Sequence, residues 1–100
     1  MFYRLHVFPF RITHRQLGSC RAEVFGKEGG DGLWRGWLVF APDTTNLIIV
    51  AGPETTQPTR DALVYWAIGL DPVHYQIALE RALRARLRAP GALDGPAFAD

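Results

Sequence analysis

The sequence predicts an α+β domain: a four-stranded, mainly antiparallel sheet followed by two C-terminal helices, in the order ββββαα. Three observations predict it. Four short segments carry β-branched or alternating apolar residues and are separated by glycine and proline turns. Helical spacing of apolar residues begins only after Pro58. Strands and helices are therefore segregated along the chain rather than interleaved, which disfavours a parallel βαβ architecture. One hundred residues, 48% apolar and 21% charged, suit a single domain over 1–90, and the Ala-, Gly- and Pro-rich end, 91–100, reads as a flexible tail.

In the first segment, Tyr3, Leu5 and Val7 alternate with Arg4 and His6. Pro9 interrupts the pattern and shifts its phase, so that Phe10 and Ile12 flank Arg11. A proline here implies an edge strand or a bulge, because it lacks a ladder donor. His14 to Gly18 reads as a loop. The second strand, Cys20–Phe25, places Cys20, Ala22 and Val24 on one face and Arg21 and Glu23 on the other. Gly26 to Gly32 then forms a glycine-rich hairpin loop. The third strand, Trp34–Phe40, stops at Pro42-Asp43, and the fourth, Leu47–Ala51, stops at Gly52-Pro53.

The first helix is expected to have Thr56 or Gln57 as N-cap and Pro58 near its first position, with Ala62, Leu63, Trp66 and Ile68 as its apolar set. Gly69 reads as a left-handed stop. Asp71-Pro72 is a cap followed by a proline at the first helical position. Tyr75, Ala78, Leu79, Ala82 and Leu83 form the buried face of the second helix, while Arg81, Arg84 and Arg88 line another. Pro90-Gly91 ends it.

The third and fourth strands lack the alternation of a sheet with one wet face. Trp34, Leu38 and Phe40 oppose Trp37 and Val39; Leu47 and Ile49 oppose Ile48 and Val50. Two short helices cover one face. The other requires a curled sheet, a second subunit or a ligand.

The candidate chemistry is sparse. Ser19, the single serine, lacks a nucleophile elbow. Cys20 is the single cysteine, so no internal disulfide can form. It reads as a small core residue, the alternative being a thiolate–imidazole pair with His6 or His14. His6, His14 and His74 lack the paired spacing of a zinc site, so neither a metal nor a cofactor is expected. His74 reads as a surface residue. Thr55 to Arg60 combines hydroxyls, a helix start and an arginine, which suits capping or an anion. The Gly26–Gly32 loop lacks the Lys-Ser/Thr ending of a phosphate loop. No catalytic constellation is recognisable, and the chain reads as nonenzymatic.

The net charge is +1, and arginines gather toward both ends. Arg4, Arg11, Arg21, Arg35, Arg81, Arg84 and Arg88 are the candidate contacts to nucleic acid or another anion. Trp34, Trp37 and Phe25 are the candidates for base stacking or for an interface. Four strands followed by helix resemble, in order of elements, the single-stranded nucleic-acid-binding folds of the Whirly type; no motif carries over. The expected function is a small binding module, homo-oligomeric, taking single-stranded nucleic acid through arginines and sheet aromatics. The alternative is a structural or regulatory protein-interaction subunit without nucleic acid. Neither a secretory leader nor a membrane-length apolar run is evident, which points to the cytoplasm and away from membranes.

Overall fold

The computed structural model describes residues 1–88, with side chains placed through Arg86. The expected stop at Pro90-Gly91 and the tail 91–100 lie outside the described residues. An antiparallel sheet is followed by two helices, as the sequence predicts: β1 Tyr3–Val7, β2 Ile12–His14, β3 Gly18–Glu28, β4 Trp34–Pro42, β5 Ile49–Gln57, α1 Arg60–Ile68 and α2 Pro72–Arg88. The sheet order is β1-β3-β4-β5, and β2 also pairs with β3. β1 meets the Glu23–Gly26 end of β3, and β2 meets the Gly18–Cys20 end. The two pieces thus share one edge, broken around Pro9, which accounts for the change of phase there. His14, expected to open a loop, is instead the last residue of β2.

β5 differs more. It starts at Ile49 and passes through Gly52-Pro53, the expected stop, to Gln57. The register with β4 moves from Leu38↔Ala51 to Gly36↔Thr55, leaving Gly52, Pro53 and Glu54 opposite Trp37. A bulge of this kind needs no ladder donor from Pro53, so the strand resumes beyond it. Gly52 sits at φ +127°, and a Cβ there would lie 2.8 Å from the Glu54 nitrogen. The Gly52–Pro53 peptide is cis.

Because β5 takes up Thr55–Gln57, α1 begins later than expected. Thr59 is its cap, and its hydroxyl accepts from the Ala62 amide at 3.0 Å. Gly69 is right-handed, at φ −80° and ψ −6°, rather than left-handed; its amide donates to the carbonyls of Tyr65 and Trp66. Asp71 caps α2 as predicted, its Oδ1 accepting from the His74 amide at 2.9 Å.

The core lies between the helices and one face of the sheet. Ile12, Ala22, Val24, Leu38, Phe40, Ile49 and Ala51 meet Ala67, Tyr75, Ala78 and Leu79. The Tyr75 ring packs against Phe8 at 4.5 Å, tilted by 33°, and meets Phe40 edge-on at 6.4 Å. Gly26 and Gly36 are cross-strand partners, and together they open a socket for Leu63 of α1. A Cβ on either would lie 2.5 or 2.7 Å from a Leu63 methyl. Tyr75, Ala78 and Leu79 are buried, with Ala82 and Leu83 packed beside them, as the helical spacing predicts. Ile68, expected in the apolar set of α1, is instead exposed, because Leu63 and Ala67 define the buried side.

Candidate functional site

The far face of the sheet, opposite the helices, carries Arg4, Arg21, Glu23, Phe25, Lys27, Trp37 and Val39, as the strand registers require. No described helix covers it, yet Trp37 and Val39 are buried, at 8% and 4% exposure. The Phe2 ring packs edge-on against Trp37 at 5.0 Å, and the Lys27 ammonium lies over Phe2 at 5.1 Å. The buried Glu23 carboxylate accepts from Arg4 at 3.1 Å and lies 3.5 Å from Arg21. Of the three covers the apolar pattern allows, a curled sheet, a second subunit or a ligand, the chain supplies part of one itself, through Phe2 and Lys27. Trp34 lies on the helix side, near Tyr3 at 6.1 Å, and Phe25 is half-buried.

The structure brings Arg4 and Arg21 together and keeps them apart from the α2 arginines. Arg11 pairs with Asp43 at 3.1 Å. Arg35 grips Asp31 with both guanidinium nitrogens, at 3.2 and 2.8 Å. That contact, followed by the Leu33 amide, pulls the Asp31 carboxyl down to about 2. Arg81 donates to Glu54. Arg84 is exposed and has no ion-pair partner among the described residues. The Arg88 side chain lies outside the described ones.

Of the groups considered for catalysis, Cys20 and His14 stand diagonally across the β2–β3 pair. Cys20 is fully buried, and burial raises its thiol. His14, also buried, uses both ring nitrogens: Nδ1 accepts from the Gln16 amide at 3.1 Å, and Nε2 lies 2.6 Å from the Glu80 carboxylate. An imidazole so engaged has no free nitrogen with which to move a substrate proton. His74 packs edge-on to Trp66 at 5.9 Å. Among the described residues no group of three His, Cys, Asp or Glu side chains converges. The Thr55–Arg60 segment is occupied internally: the Thr55 hydroxyl accepts from Gln57, Thr59 caps α1, and Arg60 lies over the Tyr3 ring at 5.2 Å. No described helix is long and apolar enough to cross a membrane.

What remains is the outer surface of the helices. Tyr65, Ile68, Val73 and Ile77 are 82%, 64%, 63% and 58% exposed. A groove of about 730 Å³ lies at the α1–α2 corner, lined by Tyr65, Trp66, Gly69, Leu70 and His74 among others. His74 continues into a second depression with Ile77 and Arg81. Tyr65 borders the first depression and Ile77 the second, the two meeting at His74, while Ile68 and Val73 are exposed on the same two helices. In the sequence, Val73 and Ile77 stand four apart and outside the buried Tyr75/Ala78/Leu79 face. No family model, no curated protein and no solved structure matches this chain.

Proposed function

We propose that this protein is a nonenzymatic protein-interaction module, docking its partner through the outer face of α1 and α2. The joint exposure of Tyr65, Ile68, Val73 and Ile77 on α1 and α2, with Tyr65 bordering one depression and Ile77 the next, carries this reading. Burying one large apolar side chain is worth about 1.5–3 kcal/mol, so four held in water represent a substantial gain deferred until a partner arrives. Complete engagement of His14 and burial of Cys20 support a role without catalysis. The test places a photo-crosslinking phenylalanine analogue at position 77 or 68 of the full chain, with position 45 as control. Crosslinks from 77 and 68 to one polypeptide, identified by mass, are the expected result. Absence of any crosslink from position 77 would overturn the reading.

One observation favours a second reading, the binding of single-stranded nucleic acid on the far face. Arg4 and Arg21 share the single carboxylate of Glu23, and Lys27 adds a further cation beside Phe2, leaving surplus positive charge near Phe25 and Trp37. Oligonucleotide titration at two salt concentrations tests it, because phosphate contacts weaken as salt rises. Lack of binding at low salt removes this reading and leaves the first untouched.

A further inference from the structure

The break between β1 and β2 leaves a cavity at the sheet's edge. The Phe8 amide donates to the Ala22 carbonyl, and Ile12 pairs with Cys20. Pro9, Phe10 and Arg11 are therefore set against Arg21 alone. The excess chain bulges, and beside it lies a cavity of about 270 Å³, lined by Val7, Phe8, Pro9, Phe10, Arg11 and Arg21. Phe8 is buried, and Phe10 meets it edge-on at 5.6 Å while staying 67% exposed. Arg11 and Arg21 border the same space, each about half exposed. Two like charges on neighbouring strands repel, and a carboxylate between them is the ordinary remedy. Here Asp43 takes Nη1 of Arg11 at 3.1 Å, while Glu23 accepts from Arg4 and stands 3.5 Å from Nε of Arg21. Among the described residues no carboxylate pairs with both Arg11 and Arg21. These ion pairs set three guanidinium groups against two carboxylates. Each fork at the cavity keeps donors that a ligand can use.

We propose that this cavity binds a phosphomonoester carrying a planar ring, its phosphate between Arg11 and Arg21 and its ring against Phe10. A phosphomonoester is close to a dianion at neutral pH and presents three terminal oxygens. It can accept from both forks at once, and it supplies the bridging negative charge that the chain omits. A carboxylate, with two oxygens and one charge, is matched to a single fork. The exposed Phe10 offers the ring an apolar surface beside the charged head. The site shares nothing with the α1–α2 surface. It shares Arg21 with the nucleic-acid reading above, but Arg21 stands four residues from Phe25, roughly 13 Å along β3 toward its Gly18 end. Loss of either reading leaves this site standing.

The test is titration of the full chain with phenyl phosphate, followed through its amide signals by NMR. Those of Phe10, Arg11 and Arg21 are expected to shift together and to saturate at millimolar ligand. Arg11→Gln and Arg21→Gln are each expected to weaken binding at least about tenfold, because each removes a charge-assisted contact. Phe10→Ala is expected to weaken phenyl phosphate and to leave inorganic phosphate unchanged. Arg84→Gln, on the other layer of the fold, is expected to leave the affinity as it was. All four side chains are exposed, and an unchanged spectrum away from the cavity reports that each variant stays folded. No saturable shift at Phe10, Arg11 and Arg21, or an affinity indifferent to both arginine variants, would overturn the proposal. Benzoate binding as tightly as phenyl phosphate would overturn it as well. Displacement of phenyl phosphate by an oligonucleotide with a terminal phosphate, but not by its unphosphorylated counterpart, assigns the phosphomonoester to a strand end. Displacement by neither assigns it to a small molecule.

Discussion

The Nε2 of His14 lies 2.6 Å from a carboxylate oxygen of Glu80, and this contact ties the short strand β2 to α2. Since Nδ1 accepts from the Gln16 amide, the ring hydrogen sits on Nε2 and points at Glu80. His14→Leu removes both interactions from a buried site, and urea unfolding should show a loss of about 1–3 kcal/mol. Glu80→Gln retains an acceptor oxygen and should cost less, about 0.5 kcal/mol. Equal losses for the two would show that the ring's other contacts, rather than this pairing, hold β2 in place.

The Gly26–Gly36 pair makes a coupling prediction. Leu63→Ala empties the socket and should cost about 2–5 kcal/mol. Gly26→Ala overfills it, crowding methyl groups of Leu63 and Leu5, and should cost about 1–3 kcal/mol. Combined, they should cost less than their sum by about 0.5–3 kcal/mol, since the new methyl occupies space that Leu63 vacates. Strict additivity in a double-mutant cycle would mean that the glycines are needed for something other than Leu63.

The Asp31–Arg35 contact sets an acid dependence of definite sign. Asp31 titrates at about 2 in the folded chain against an ordinary 3.8. Above that ordinary value both folded and unfolded chains carry the carboxylate, and the contact contributes in full. As pH falls below it, the unfolded chain takes up a proton that the folded loop refuses, and the contribution is lost by about pH 2. Carboxyl carbon NMR should place the Asp31 midpoint near the lower value, and Arg35→Ala should return it toward the ordinary one. An unmoved midpoint in that variant would assign the effect to the Leu33 amide.

Tyr75 sets the alkaline limit. Its hydroxyl is buried without a hydrogen-bond partner among the described residues, and desolvation pushes its pKa up to about 12 from an ordinary 10.0. The unfolded chain ionises first, so stability present below the ordinary value falls as pH rises toward the upper one. Tyr75→Phe keeps the ring contacts with Phe8 and Phe40 and removes the unpaired hydroxyl. It should be neutral or slightly stabilising at pH 7 and should flatten the alkaline decline. Tyr75→Ala, by contrast, should cost about 3–5 kcal/mol. A clear loss of stability in Tyr75→Phe would reveal a partner for the hydroxyl.

Local chemistry made much of this fold legible in the sequence. The Asp71-Pro72 start, the Tyr75/Ala78/Leu79 face and the alternation of Cys20, Ala22 and Val24 all depend on neighbours in sequence, and each reappears in the structure. What could not be read depends on distant partners. Gly52-Pro53 resembles a stop until Trp37 stands across from it and absorbs the irregularity as a bulge. Trp37 and Val39 look orphaned until Phe2 and the arginines gathered at Glu23 are placed over the far face. The arginines look like one anion-binding set until their carboxylates are located, leaving Arg84 exposed on a different layer from Arg4 and Arg21. The outer apolar residues could not be read either: Ile68 belonged to the expected apolar set of α1, and only the packing of Leu63 and Ala67 shows it exposed with Tyr65, Val73 and Ile77.

Proline interrupts both rims of the sheet, Pro9 between the two pieces of the first and Pro53 within the last. Neither residue can offer an amide to an incoming strand, and at both places the backbone departs from a regular ladder. A stray extended segment from another molecule finds no long, uninterrupted row of donors and acceptors on either side, so growth of the sheet into a fibril is blocked at its margins. Even at high concentration, a chain so protected can expose greasy helix surface with little risk that contact between molecules turns into templated polymerisation.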